Sequence, residues 1–160
     1  IAEKEARAKL DTLINNKGSK SVDYFHKKLG KVMWNKCGMA RNKKDLELAI
    51  SEISKLRKEF WKEVKVPGDQ NEFNEELAKA GRVADFLELG ELFAKDALER
   101  EESCGGHFRE EYQTKEGEAT RKKEFQFVSA WEYVGEPRDA ILHKEKLEYK
   151  NIEVKERSYK

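Results

Sequence analysis

The stretch that decides the fold runs from Asn71 to Glu111 and reads NEFNEELAKAGRVADFLELGELFAKDALEREESCGGHFREE. Up to Arg100 it repeats apolar and small residues at steps of three and four, which is the spacing of one face of an α-helix. The stripe consists of Phe73, Leu77, Ala80, Ala84, Leu87, Gly90, Ala94 and Ala97, and it is widened by Val83, Phe86 and Leu98. We therefore predict a long helix that lies at the centre of a bundle.

Small residues recur within this predicted helix, namely Ala80, Gly81, Ala84 and Gly90. Glycine lowers the intrinsic helix propensity, and a sequence tolerates that cost where another backbone must come close. The pattern therefore predicts close packing of this helix against a neighbour.

The end of the predicted helix is marked by Gly105-Gly106. A glycine pair can adopt backbone angles that other residues avoid, so this turn can hold His107 and Arg109 at a fixed angle to the helix end. Cationic side chains near the last carbonyls stabilise a helix by roughly 0.3 to 1 kcal/mol each at the surface. An imidazole and a guanidinium also suit docking to carbonyls or carboxylates of a neighbouring domain. We favour capping and docking over direct catalysis.

The composition argues against several classes of protein. The chain has 160 residues, enough for one domain with a substantial core. Its 33 Lys and Arg residues nearly balance 32 Asp and Glu residues, and the signs are intermixed, whereas a nucleic-acid or membrane surface would need segregated basic charge. We find no apolar run of about 18 residues and no signal peptide. Because the chain begins at Ile1 and not Met, we expect it to be part of a longer protein.

The residues that most often carry chemistry are sparse, namely His26, Cys37, Cys104, His107 and His143. Their spacing matches no zinc motif, and Gly105-Gly106 lacks the third glycine and the preceding strand of a dinucleotide-binding loop. The cysteines are expected to be reduced; the sequence also leaves open the alternative of a single disulfide between them. Cys104 and His107 could be a thiolate and its base, but we favour a small residue in a tight turn beside a hydrogen-bonding histidine.

Two further helices are predicted upstream. The first is capped by Ser21, ends at Gly38, and shares a face of Val22, Phe25, Leu29, Val32, Met33 and Cys37. The second is capped by Asn42 or Asp45, continues to Pro67-Gly68, and carries Leu46, Ala49, Ile50, Ile53, Leu56, Phe60 and Val64. Residues 21–111 are therefore predicted to form an up-and-down three-helix bundle, similar to a spectrin repeat, in a mainly α fold.

The segments on either side of the bundle are shorter. A helix from Ala2 to Asn16, in a connecting segment 1–20, has few apolar anchors and is marginal alone. In the tail, 112–160, a loop is followed by a predicted strand from Glu124 to Val134. That strand places Phe125, Phe127, Trp131 and Tyr133 on one face. A second strand, Leu147 to Val154 with an irregularity near Asn151, would complete a hairpin across the loop that carries His143 and needs a surface to pack on.

The turn after the long helix reads Glu102-Ser103-Cys104-Gly105-Gly106-His107-Phe108-Arg109-Glu110-Glu111. It resembles the E-S-R-G-x-H-x-R-x-D/E signature of the flavoprotein subunit of succinate dehydrogenase and fumarate reductase. Further segments that resemble this family are Met33 to Asn42, Arg82 to Leu92, Ala130 to Tyr133 and Leu142 to Glu145. The resemblance covers about residues 20 to 160. Cys104 stands where the commoner family sequence has arginine, so no role of that arginine is transferred.

The resemblance implies a parent enzyme that interconverts succinate and fumarate at a covalently held FAD. It places the flavin and substrate sites in upstream domains, so this chain would be the C-terminal helical domain, without catalytic, cofactor-binding or metal-binding residues of its own. The implied partners are the upstream flavin domain and the iron-sulfur subunit, in a peripheral complex on the cytoplasmic side of the inner membrane; nucleic acid and direct membrane insertion are not expected. The domain-docking candidates are Ser103, His107, Arg109, Glu110 and Trp131.

Two other interpretations stay open at this point. A free-standing helical protein-interaction module, soluble and without catalytic activity, accounts equally well for the bundle itself. Relatedness to aspartate oxidase, which shares the flavin-dependent plan, is a further alternative, but the tail motifs around Trp131 and His143 speak against it. The physiological direction, the quinone and self-association of this domain are not decided by the sequence.

Overall fold

The computed structural model describes residues 1–69 and 72–153. In chain order these contain helices and strands α1 (Ala2–Ile14), β1 (Lys20–Ser21), α2 (Val22–Cys37), α3 (Lys43–Glu63), β2 (Val64–Lys65), α4 (Glu75–Glu99), β3 (Phe127–Glu132) and β4 (Ile141–Lys146). Single 3-10 turns lie at Lys123–Phe125 and Pro137–Asp139. The predicted class, mainly α with a C-terminal hairpin, is confirmed.

Helices α2, α3 and α4 pack on one another in pairs and enclose the core. Each contributes the apolar face that the periodicity predicted, and the buried side chains include Phe25, Leu29, Leu46, Ile53, Phe60, Leu87 and Ala94. Burial of one large apolar side chain stabilises a fold by about 1.5 to 3 kcal/mol. Helix α1 packs against α4 and buries Leu13, so this short helix gains its stability from the bundle.

Polar caps begin all three bundle helices. The side chains of Ser21 and Asn42 accept hydrogen bonds from the backbone N–H groups three residues later, at 3.2 and 2.8 Å. Ser21 is the predicted cap, and Asn42 is one of the two candidates, Asn42 and Asp45, that the sequence left open. Asn74 does the same for α4 at 2.9 Å, so that helix begins at Glu75. The expected start at Asn71 lies outside the described residues. Phe73 precedes the cap and is 92% exposed, so its place on the core stripe was wrong.

The end of α3 also differs from the prediction. The helix stops at Glu63, and Val64–Lys65 forms a short parallel pair with Lys20–Ser21. Val64 is fully buried in this extended conformation. Its burial fits the helical period, and for that reason the sequence pattern could not separate the last helical turn from a strand.

The small residues of α4 have different surroundings from one another. A Cβ atom at Gly90 would lie 3.3 Å from Leu29 Cδ1 and 3.4 Å from Met33 Sδ, so Gly90 permits the close approach of α2. Its nearest neighbours are side chains, not the backbone that we expected. A Cβ atom at Gly81 would meet no atom of another described segment within 4 Å, and the prediction of close packing is wrong there.

The C-terminal hairpin pairs β3 with β4 in antiparallel register, from Phe127 opposite Lys146 to Glu132 opposite Ile141. The first predicted strand is therefore confirmed in shortened form. The second was placed too late, at Leu147 to Val154, and Val154 lies outside the described residues. The turn at Pro137–Asp139 closes the hairpin early, so His143 lies within β4 and not in a loop.

The four tail aromatics do not share one strand face. Phe127 and Trp131 lie on the half-buried side of β3, whereas Phe125 belongs to the preceding 3-10 turn. Tyr133 follows the strand and is exposed. The hairpin nevertheless packs on the bundle, because Lys95 of α4 donates hydrogen bonds to Ala140 O and Arg138 O at 2.9 and 2.7 Å.

Candidate functional site

The residues after α4 fold back over the end of that helix, and we call residues 100–112 the α4 junction. Cys104 and His107 exchange two backbone hydrogen bonds of 2.8 and 3.0 Å across the glycine pair. Gly105 has a φ angle of +60°, which favours glycine. The chain between α2 and α3 joins the junction here, because Arg41 N–H donates to Phe108 O at 3.1 Å and Arg41 O accepts from Glu110 N at 2.8 Å.

Arg109 is a buried cap of α4. The residue is 1% exposed, and its Nη1 donates to Ala97 O at 2.9 Å and to Leu98 O at 3.2 Å. Its Nε donates to Glu111 Oε2 at 3.1 Å. A guanidinium can serve several carbonyls at once, which one surface cation cannot. The expectation of a surface cap worth up to about 1 kcal/mol is therefore wrong for Arg109.

Two further buried polar residues hold the junction in place. The hydroxyl of Ser103 accepts from Arg109 N at 2.9 Å and donates to Arg109 O at 3.2 Å. Glu102, which is 1% exposed, accepts from Arg100 Nη1 at 2.8 Å and from Lys122 N at 2.9 Å. The sequence analysis placed Glu102 in the family signature but not among the docking candidates, because its residue type and spacing do not indicate that it is buried beside the exposed Glu101.

His107 connects the two chain segments through both ring nitrogens. Nδ1 lies 2.9 Å from Arg41 Nη1, and it must accept this hydrogen bond because a guanidinium can only donate. Nε2 therefore carries the ring proton and donates to Arg100 O at 2.9 Å. Burial lowers the pKa of His107; the bond to Arg100 O opposes this shift, whereas the guanidiniums of Arg41, Arg109 and Arg100 reinforce it. Both nitrogens are engaged away from the Cys104 thiol, so the thiolate-base arrangement does not form.

Replacement of His107 by glutamine should flatten the pH dependence of stability. A histidine whose folded pKa is lowered contributes stability above its unfolded pKa of about 6.5, and this contribution is lost as the pH falls below that value. Glutamine can donate and accept in the same directions without titrating. We expect urea unfolding at a series of pH values to show that the wild type loses more stability than H107Q between about pH 7 and 5. Parallel curves for the two proteins would contradict this assignment.

The remaining docking candidates lie at two separate places. Glu110 is exposed at the junction, and its Oε2 accepts from Asn42 Nδ2 at 2.9 Å. Trp131 lies on the hairpin, where its Nε1 donates to Asp96 Oδ1 at 2.8 Å and Lys95 Nζ lies 4.7 Å from the ring centroid. The structure thus brings Ser103, His107, Arg109 and Glu110 together, and it uses Trp131 to fasten the hairpin to α4.

A second apolar face of α4 points away from the core, and we call it the outer face. It presents Phe86, Leu89 and Phe93, which are 43%, 61% and 47% exposed. On one side a groove of about 290 Å³ separates it from α2, and on the other a cavity of about 340 Å³ separates it from the hairpin. Periodicity assigned Phe86 to the core stripe, which is wrong, because small residues occupy the inner face instead.

The glycine pair does not form a phosphate-binding loop of the dinucleotide type. Gly105-Gly106 lies in a tight turn after a helix, whereas a phosphate-binding glycine loop joins a strand to the N-terminus of a helix. Across residues 1–69 and 72–153 no group of three or more His, Cys, Asp or Glu residues could hold a metal ion. No helix in these ranges is long and apolar enough to cross a membrane.

The sequence of residues 26–159 matches the family described as fumarate reductase flavoprotein C-term. The chain belongs to this family. It is 29% identical over 109 residues to the fumarate reductase flavoprotein subunit of Haemophilus influenzae, covering 68% of this chain and 18% of that protein. An L-aspartate oxidase of Synechocystis is 27% identical over 101 residues, covering 55% of this chain and 18% of that protein.

The fold of the family is also found among solved structures. A mutant FrdA chain of E. coli quinol fumarate reductase superposes with a TM-score of 0.80, at 20% identity, over 95% of this chain and 25% of that chain. The resemblance stated from the junction motif is therefore confirmed. This chain spans less than a fifth of the Haemophilus subunit, so it corresponds to the C-terminal domain only.

Proposed function

We propose that this chain is the structural C-terminal domain of a FAD-dependent flavoprotein subunit that interconverts succinate and fumarate. The chemistry would take place in the rest of the subunit, and the role of this domain would be to support and position that part. This division agrees with the junction, where the described residues form caps and cross-links and offer no cradle for a dinucleotide. We expect the domain by itself to carry no flavin.

The observation that carries this proposal is the outer face of α4. Large apolar side chains that lie together and exposed on one helix mark an interaction surface more often than a solvated one. Phe86, Leu89 and Phe93 all line the groove beside α2, and Leu89 also lines the cavity beside the hairpin. Both spaces are mostly apolar, and the three residues lie on the longest helix of the bundle. The rest of the flavoprotein subunit is the occupant that the family membership favours.

The proposed organisation keeps the three units predicted from the sequence, a connecting helix in 1–20, the bundle in 21–111 and the tail in 112–160. Of the docking candidates, Glu110 is exposed and can make direct contacts, whereas the buried Ser103 and Arg109 would act by holding the junction rigid. The iron-sulfur subunit is the second proposed partner, in a peripheral complex at the cytoplasmic side of the inner membrane. A free-standing interaction module would use the same outer face without the flavin domain.

A charge placed on the outer face should separate docking from folding. Leu89 is 61% exposed, so L89E should change the free energy of unfolding of this chain by no more than about 0.5 kcal/mol. In the complete subunit the same glutamate would be buried unpaired, at a cost of several kcal/mol. We expect at least a tenfold loss of flavin-containing subunit with L89E, measured by flavin absorbance of the purified protein.

The matched control is L48E, since Leu48 of α3 is similarly exposed, at 41%, and lines neither the groove nor the cavity beside α4. L48E should leave the stability of this chain and the flavin content of the complete subunit as in the wild type. If L89E and L48E subunits contain equal amounts of flavin, the outer face is not the docking surface.

A further inference from the structure

Arg41 is a half-buried cation without an acidic partner. Its Nε donates to Cys37 O at 3.2 Å and to Gly38 O at 3.1 Å, and its Nη1 donates to His107 Nδ1. Across residues 1–69 and 72–153, no carboxylate forms an ion pair with it. Burial lowers the pKa of Arg41, and the repulsion from Arg109 acts in the same direction. A guanidinium carries five N–H donors, and these contacts leave Nη2 unused.

Arg41 lines a cavity of about 270 Å³ at the α4 junction, which is large enough for a small organic acid or one acidic side chain. The cavity is lined by Arg41, Phe93, Asp96, Ala97, Arg100, Cys104 and His107. The Arg41 guanidinium lies 5.0 Å from the centroid of the Phe93 ring, so the cavity has an apolar wall beside its cationic one. Such a lining suits a ligand that carries both a carboxylate and a hydrocarbon part.

The other charges around the cavity already have partners. Arg100 is paired with the buried Glu102 at 2.8 Å, and it contributes little free positive charge. Asp96 is the one carboxylate among the lining residues; its Oδ1 accepts from the neutral indole N–H of Trp131, which satisfies one hydrogen bond but leaves its negative charge in place. His107 is neutral in the tautomer that its two hydrogen bonds require. Arg41 is therefore the group on which an incoming anion would be centred.

We propose that this cavity is a carboxylate-binding site, with Arg41 as its cationic partner and Phe93 as its apolar wall. The carboxylate can belong to a free organic acid or to an acidic side chain of another part of the subunit. Either ligand would supply the ion pair that the described residues do not provide. The site lies beside the outer face of α4 but does not depend on the docking proposed for that face.

The half-buried Cys104 provides a reporter inside the cavity, because the other thiol, Cys37, is buried. The experiment compares alkylation of Cys104 by anionic iodoacetate and by neutral iodoacetamide, which have nearly the same size. Both reagents attack the same thiolate, so the ratio of their rate constants cancels the thiolate fraction. We expect this ratio to be about threefold higher in the folded chain than in the chain unfolded in urea, the effect of one unit charge roughly 6 Å away in water.

The variants locate the effect. R41Q should bring the ratio down to the unfolded value, whereas R41K should keep most of it because the charge remains. K44Q, which removes a cation from the exposed first turn of α3, is the matched control and should leave the ratio unchanged. In wild type the preference should disappear at about 1 M salt, where the Debye length is about 3 Å. The salt experiment does not depend on whether R41Q folds.

The source of the carboxylate is decided by protection of Cys104 from iodoacetamide. Saturable protection of this chain by acetate or succinate would identify a free acid, and protection seen only in the complete subunit would identify a side chain. A ratio that is equal in folded and unfolded chain, or that R41Q leaves unchanged while the variant remains folded, would overturn the proposal. The alkylation ratio is measured on this chain alone, whereas the L89E experiment uses the complete subunit. Either proposal can therefore be contradicted while the other is supported.

Discussion

Replacement of Arg57 by methionine should destabilise the bundle by about 3 to 5 kcal/mol, the usual cost of leaving a buried charge without its partner. Arg57 of α3 and Glu91 of α4 meet inside the bundle, where they are 7% and 1% exposed. Arg57 Nε lies 3.3 Å from Glu91 Oε2. The measurement is urea unfolding of this chain followed by circular dichroism.

The geometry explains why the loss should be large. Within residues 1–69 and 72–153, neither oxygen of Glu91 nor Arg57 Nε has a well-directed hydrogen bond, so the pair is held by charge. Burial raises the pKa of Glu91, while Arg57 and Arg138 oppose that shift. Without Arg57 the carboxylate would have to lose its charge or unfold the helix pair. The folded R57M chain should therefore regain stability as the pH falls, because a raised folded pKa favours the protonated, folded state.

A second substitution separates the charge from the packing. Changing Glu91 to leucine in the R57M chain removes the unpaired carboxylate, and apolar replacements of buried pairs are often neutral or stabilising. K58M, at an exposed neighbouring position, should change stability by no more than about 0.5 kcal/mol. If the double variant remains as unstable as R57M, the loss comes from the contact of Arg57 with Glu136 in the hairpin connection and not from Glu91.

Replacement of Arg109 by leucine should cost about 3 kcal/mol. The substitution would leave the carbonyls of Ala97 and Leu98 without their charged donor, and a buried unsatisfied polar group costs about 1 to 3 kcal/mol. Glu111 would lose its ion pair as well. Thermal and urea unfolding of R109L would measure the loss directly.

Two variants test this account of the cap. R109K should restore only part of the stability, because an ammonium cannot reach several carbonyls with the geometry of a guanidinium. K115L, which changes an exposed cation in the following loop, should be close to wild type. A loss of under 1 kcal/mol for R109L would return Arg109 to the surface-cap role that its sequence position suggested.

The first of these effects arises at residues whose importance local sequence does not reveal, whereas Arg109 was selected from the sequence. Arg57 and Glu91 look like ordinary charged positions on two amphipathic helices. The glycine pair after a long helix did select His107 and Arg109, because such a turn fixes polar groups near the helix end, and the family signature added Ser103 and Glu110. The sequence could not identify Arg41 as the partner of His107 or Lys122 as the partner of Glu102, since those contacts join segments that meet only in the tertiary structure.

The sequence by itself determined the three bundle helices, the cap Ser21, the two candidates Asn42 and Asp45 for the cap of α3, and the tight turn at Gly105-Gly106. These features depend on periodicity and on hydrogen bonds between residues three apart, which are local properties of a chain. Only the tertiary structure decided the position of β4, the outward direction of Phe86 and the burial of the Arg57 and Glu91 pair. Each of these depends on which distant segment supplies the neighbouring surface, and neither spacing nor composition carries that information.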